Sequence, residues 1–145
     1  MAFEPEVVWM PGGVRTEIHL TGPDTNGVFC LLVDEPSPGW ALPPHLHHGV
    51  AETIYILDGE FEMEVDGQPW HLAAGQTLHV PADVVHAGGN VGVSPGRRII
   101  MFSPAGMEGF FREAGAPSRT ADVDPRAAFE AAVRHGWEFI RLPDQ

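Results

Sequence analysis

The run Glu60-Phe61-Glu62-Met63-Glu64-Val65 limits the possible folds of this chain more than any other segment. Phe61, Met63 and Val65 alternate strictly with three glutamates. Successive side chains of a strand point to opposite faces, so this segment reads as a strand with one apolar inner face and one solvated acidic face. Asp58-Gly59 precedes it and Asp66-Gly67 follows it. Each pair is a two-residue hairpin signal. A short amphipathic strand bracketed so closely by turns points to antiparallel, all-β architecture.

The same grammar runs from Val14 to about Pro104. RTEIHLTG and VFCLLVDE are strand-like runs separated by the turn cluster GPDTNG, and PSPG stops the second of them. TIYIL leads to Asp58-Gly59, QPWHL follows Asp66-Gly67, and TLHVP, VVHAGG and RRIIMF continue the series. With 17 glycines and 14 prolines in 145 residues, turns should be frequent and helices few. After Pro104 the pattern changes. GMEGFFREAG predicts a short helix with Phe110, Phe111 and Ala114 on one side. Asp124-Pro125 is an N-cap followed by a proline at the first helical position. It opens PRAAFEAAVRHG, where Ala128, Phe129, Ala132 and Val133 form an apolar stripe and Gly136 suits the stop. WEFIRLP then reads as extended. Neither tail helix is long enough to build its own core, so residues 1–145 are expected to form one domain, with the helical tail of about 105–145 packed outside the β unit.

Charge excludes some partners. The formal net charge is −12 with histidine neutral. Nucleic-acid binding rests on lysine and arginine against phosphate, so neither it nor an anionic membrane surface is expected. The single cysteine, Cys30, can form no disulfide within the chain. The opening MAFEPEVVWM carries Glu4 and Glu6 where a signal peptide would carry basic residues, and no apolar run approaches the roughly 18 residues of a membrane span. These features together lead us to expect a cytoplasmic protein.

One set of residues has the chemistry of a reactive centre. His45 and His47 stand two apart, so on a strand both imidazoles face one side. Pro43 and Pro44 stiffen the approach. Glu52 begins the next apolar run and His86 ends a later one. If the sheet curls, these can meet. Three neutral imidazoles and a carboxylate suit one divalent transition metal, such as Fe, Ni, Mn, Cu, Co or Zn, with positions left for water or substrate. His19, His71, His79 and His135 belong to no such pattern, and the roles of His48 and His79 are open.

The spacing around these residues is G-x5-H-x-H-x4-E-x6-G over 39–59, then G-x5-P-x4-H-x3-N over 75–90. This pair of motifs resembles the two signature motifs of the cupin superfamily. The resemblance implies a double-stranded β-helix, a small jelly-roll barrel with a metal inside. It carries His45, His47, Glu52 and His86 onto metal-ligand positions, Gly39, Gly59, Gly75 and Pro81 onto turns, and Asn90 onto a structural closing position. In one respect the chain departs from the pattern. The usual P-x-G of the second motif is Pro81-Ala82-Asp83 here, and Asp tolerates a left-handed backbone better than most residues. The tail, SPAGMEGFFREAG and RHGWEFIRLP, is similar to small bacterial cupins described as quercetin-dioxygenase-like.

The expected activity is therefore metal-dependent dioxygenation of a small aromatic or enolic, flavonol-like compound. Glu52 would serve as both ligand and general base, with dioxygen as co-substrate and a homodimer as the assembly. Two other readings stand beside it: a metal- or ligand-binding cupin that senses without turnover, and a metal-dependent isomerase or lyase acting on a small acid or sugar. His48, His79 and Tyr55 are further candidates for a catalytic role. Leu31, Ile54, Ile56, Met63, Met101 and Phe102 are candidates for the pocket wall. Arg15, Arg97 and Arg98 are the nearby strand cations, and adjacent Arg97 and Arg98 must face opposite ways. A charged pocket would favour the isomerase or lyase, and an apolar one the dioxygenase.

Overall fold

A computed structural model describes residues 1–140. In chain order the elements are β1 (Glu6–Met10), β2 (Val14–Leu20), α1 (Gly22–Thr25), β3 (Cys30–Glu35), β4 (Ala41–His47), β5 (Ala51–Asp58) and β6 (Glu60–Val65). Then come β7 (Gln68–Ala73), β8 (Thr77–Val80), β9 (His86–Asn90), β10 (Arg97–Ser103), α2 (Glu108–Ala114), α3 (Pro125–Arg134) and β11 (Trp137–Phe139). Of the extended run expected at WEFIRLP, Trp137–Phe139 is strand, and residues 141–143 lie outside the described residues.

The strands form two antiparallel sheets, β1-β2-β3-β10-β5-β8 and β11-β4-β9-β6-β7. The jelly roll is thus a pair of facing open sheets, and neither closes on itself. Alternation decides what lies between them. Ile54, Ile56, Phe61, Met63, Leu72, Leu78 and Val80 build one apolar cluster, and β6 buries Phe61 and Met63 while its glutamates stay exposed. A larger cluster joins Val14, Leu32, Ile100 and Phe102 to Phe110, Phe111 and Trp137 of the tail.

The two Asp-Gly pairs do different work. Asp66 and Gly67 adopt φ of 50° and 76°, and Val65 pairs with Gln68, so β6 and β7 form the expected hairpin. Asp58-Gly59 does not make one. Strand β5 belongs to the first sheet and β6 to the second, so the chain turns a corner between sheets there. Gly59 sits at φ 94°, and a Cβ on it would come 2.9 Å from the Cα of Gly96. Close approach of a second backbone, rather than a tight reversal, is what requires glycine at this corner. The GPDTNG cluster is also more regular than a loop: Gly22–Thr25 makes a helical turn, ended by Asn26 at φ 55°.

The tail helices begin as their sequences indicate. The Asp124 side chain accepts from the Arg126 amide, with Pro125 in the first turn. The buried face of α3 is rotated from the expected stripe: Ala128, Ala131 and Ala132 are buried, whereas Phe129 and Val133 are 50% and 52% exposed. Alanines let this helix approach the sheet closely, which leaves the larger side chains on its flanks. Among the described residues no helix is long and apolar enough to cross a membrane.

Candidate metal centre

Three strands from two sheets bring the predicted residues together. His45 and His47 lie on β4 and His86 on β9, with His45 and His86 as direct cross-strand partners. The register of β4 slips between Leu42 and His45, across Pro43 and Pro44, which have no N–H to give the ladder. Glu52 faces them from β5 in the opposite sheet. All four side chains are buried. One nitrogen from each of His45, His47 and His86 lies within 4.8 Å of the other two. Glu52 stands across from this triad, its Oε1 at 3.2 Å from His47 Nε2 and 3.1 Å from His86 Nε2.

Backbone carbonyls fix how two of the imidazoles point. His45 Nδ1 donates to the Pro43 carbonyl at 2.8 Å, and His86 Nδ1 donates to the Val84 carbonyl at 3.0 Å. A neutral ring that donates from Nδ1 keeps a lone pair on Nε2, the form a metal ligand requires. His86 Nε2 faces a carboxylate oxygen, and two lone pairs meet favourably only with a cation between them, either a proton or a metal ion. His47 Nδ1 is enclosed without a partner among the described residues. This donor set fits a divalent transition metal, because three imidazoles and a carboxylate converge in one buried place.

Electrostatics agree with that reading. Burial, reinforced by His86, pushes the His45 imidazole down to about 4. Burial alone would raise the Glu52 carboxyl, but hydrogen bonds from His47 and His86 outweigh it and hold the group well below the usual carboxylate range. His86 shifts upward: burial opposes the shift, and the Glu52 hydrogen bond overrides it.

The centre opens into a cavity of about 610 Å³. Of the six expected wall residues, Ile54, Met63 and Phe102 line it. Ile56 is buried in the neighbouring apolar cluster, and Leu31 and Met101 are half-buried away from the cavity. His48 is exposed, 2.8 Å from Glu138; His79 is exposed and bonded to Thr53; Tyr55 is exposed as well. None of these three lines the cavity. Arg15 and Arg97 pair with Glu17 outside it, whereas Arg98 turns inward, as the alternation requires of one of the two adjacent arginines.

Sequence reasoning missed two contributors. Asp34 lies on the cavity wall beside Arg98. The tail supplies the other: β11 pairs with β4, matching Trp137 to His47 and Phe139 to His45. Helices α2 and α3 lie outside the sheets, yet Phe110, Phe111, Ala128 and Phe129 also face the cavity. The aromatic residues of WEF were the only available signal, and they name no partner strand.

Comparison with known proteins covers the same strands. Residues 33–102 match the cupin domain family. The chain is 34% identical over 94 residues to quercetin 2,3-dioxygenase of Bacillus subtilis (strain 168), covering 65% of this chain and 28% of that protein. It is also 34% identical over 94 residues to polyketide synthase CurC of Streptomyces cyaneus, covering 64% of this chain and 60% of that one. The chain thus spans about a quarter to three fifths of the length of these curated relatives. An RmlC-like cupin of solved structure from Shewanella frigidimarina NCIMB 400 superposes with a TM-score of 0.61 at 26% identity, over 72% of this chain and 88% of that one. The matched segment begins on β3, ends on β10 and holds all four converging residues, and with the two facing sheets it establishes that the chain belongs to the cupin superfamily.

Proposed function

We propose that this cupin is a metal-dependent dioxygenase acting on a small aromatic or enolic compound. The observation that carries the reading is the position of Glu52. Its Oε1 is held by two imidazoles, while Oε2 has no hydrogen-bond partner among the described residues and is not one of their enclosed, unpartnered atoms. A carboxylate so divided can face a metal with one oxygen and a substrate proton with the other. The relatives point the same way, since quercetin is a flavonol with an acidic enolic hydroxyl and polyketide products are rich in such groups.

His45, His47, His86 and Glu52 would hold the ion. A bound divalent metal supplies Lewis acidity, which makes a nearby hydroxyl more acidic. Glu52 Oε2 would accept the proton of that hydroxyl. Ile54, Met63, Ile100 and Phe102 would seat the flat body of the substrate and exclude water. Dioxygen is the oxidant, and both its atoms end in the product. Among the described residues the wall is mainly apolar. This favours the dioxygenase over an isomerase or lyase that must hold a strongly charged substrate.

The experiment is to load purified protein separately with Fe, Ni, Mn, Co or Cu and follow oxygen uptake with flavonols and related enols. We expect turnover with at least one metal, and Glu52→Gln should reduce kcat by about 10²-fold or more. Tight binding of the enol with no oxygen uptake under any metal would overturn the enzyme reading and leave a binding or sensing cupin.

A further inference from the structure

A second polar group lines the same cavity as the histidines. Arg98 on β10 and Asp34 on β3 are cross-strand partners. Arg98 Nε donates to Asp34 Oδ1 at 3.0 Å and Nη2 to Oδ2 at 2.7 Å. The guanidinium carbon is 4.7 Å from the centre of the Trp40 ring and 5.2 Å from that of Phe61. The side chain is therefore fixed in plane by a carboxylate and packed against two aromatic rings. Arg98 is only 4% exposed.

That arrangement leaves Nη1 unused. It has no protein acceptor among the described residues. Nor is it walled off, because among the described residues the one enclosed side-chain polar atom without a partner is His47 Nδ1. Both Arg98 and Asp34 line the cavity. A buried ion pair adds little stability over an apolar pair of the same size. One edge of the guanidinium fork thus faces the cavity with its donors unpaired, in a mainly apolar wall that includes Ile54, Met63 and Ile100. Along β10, Phe102 is the partner of Glu52, and Arg98 lies four residues away. At about 3.3 Å per residue, up to about 13 Å separates the two levels.

We propose that Arg98 Nη1, oriented by Asp34, is an anion subsite that seats an acidic oxygen, carboxylate or ionised phenol, at the far end of a flat apolar ligand. The proposal deepens the reading above and rests on it only in taking this cavity as the substrate site. The ligand would be elongated and conjugated, with one oxygen function near Glu52 and a second, ionised one against Arg98. Guanidinium donors in a fixed fork recognise such a group by geometry as well as charge.

The test uses the full-length protein without metal, so that the histidine end contributes no Lewis acid. Benzoate and benzamide, nearly identical in shape and different in charge, are titrated while tryptophan emission is followed, Trp40 being in contact with Arg98. We expect benzoate to bind at least tenfold more tightly. Arg98→Lys should cut that preference several-fold, because an ammonium cannot hold both Asp34 and the ligand in the same fork. The paired variant Asp34→Leu/Arg98→Met removes both charges together and should bind benzamide as before without preferring benzoate. Equal binding of the two probes by the unaltered protein, or a preference that survives in the folded double variant, overturns the proposal. If the double variant does not fold, the Arg98 Nε–H resonance of the unaltered protein decides: a shift with benzoate and not with benzamide is expected, and no shift overturns the subsite. Because none of these readouts needs turnover, failure of oxygen uptake would leave this result standing.

Discussion

The indole of Trp137 lies flat against the imidazole of His45, with ring centroids 4.7 Å apart and planes inclined by 15°. The same indole meets His47 edge-on at 4.6 Å, and its Nε1 donates to the sulfur of Met107 at 3.1 Å. A residue from the last strand of the described chain thus braces two of the three histidines. Trp137→Ala should cost about 3–5 kcal/mol as a buried aromatic truncation and should also loosen His45, so that metal content falls with the melting temperature. Trp137→Phe keeps a stacked ring and should retain most of the metal. Calorimetric melts with elemental analysis check both outcomes, and full metal in a destabilised Trp137→Ala protein would show that the stack serves packing alone.

The strand that carries Trp137 also marks where sequence reasoning ends. His45, His47, Glu52 and His86 were legible because their spacing is local and their residue types are uncommon. Phe61, Met63 and the glutamates between them were legible because period-two alternation needs no partner. Asp83 was readable too: it takes φ 66° in place of the usual glycine, and its Oδ1 accepts from the Gly49 amide at 2.9 Å. Pairing of β11 with β4 joins residues some ninety positions apart, and nothing periodic announces it. Asp58-Gly59 misled for a related reason. The dipeptide signals a change of direction, and only the second sheet decides whether that change is a hairpin or a corner. On α3 the pattern identified a helix but not its rotation, because the close approach of Ala131 depends on the surface it meets.

Removal of single imidazoles tests the ligand assignment directly. His45→Ala, His47→Ala and His86→Ala should each lower metal content measured by elemental analysis after dialysis. Losses of affinity on the order of tenfold or more are expected for second-sphere changes alone, and removing a ligand should exceed that. If all three variants keep full metal, the assignment is wrong.

Acid should separate two of the histidines. His45 is pushed down to about 4 by burial and then by His86. A histidine of the unfolded chain takes its proton near 6.5. As pH falls from about 6.5 towards 4, the unfolded state binds a proton that folded His45 refuses, so stability is lost across that window. His86 acts in the opposite sense. Its pKa is raised by Glu52 against the effect of burial, so its contribution is present below the unfolded pKa and is lost as pH rises through the folded one. In metal-free protein at pH 5.5, NMR should find His45 neutral and His86 charged. A His45 midpoint near 6.5 would contradict this, and metal should leave as acid protonates the set.

Cys30 should be chemically silent. It is 0% exposed, and its thiol is pushed up to about 11, by burial first and by the nearby Glu108 carboxylate second. The thiolate is the reactive form, so little is available near pH 8. A chromogenic disulfide reagent should find no thiol in the native protein and one per chain in denaturant. Rapid native labelling would mean that the core around β3 opens readily.

Gly88 controls the width of the cavity. It lies on β9 opposite Met63 of β6, and both line the cavity. A Cβ at this position would strike Met63 Sδ, lie 2.9 Å from Met63 Cε and lie 3.2 Å from the Glu62 carbonyl oxygen. Of these the methionine side chain is the one able to move, and the space beside it is the cavity. Gly88→Ala should therefore drive Met63 inward. Overpacking of this kind costs about 1–3 kcal/mol, and a flat ligand should bind several-fold more weakly. Metal content should not change, because neither residue is among the four that converge at the centre. Adding Met63→Ala to Gly88→Ala should restore the space and the binding. If Gly88→Ala binds the ligand as the unaltered protein does, Met63 has moved elsewhere and the cavity wall is set by other residues.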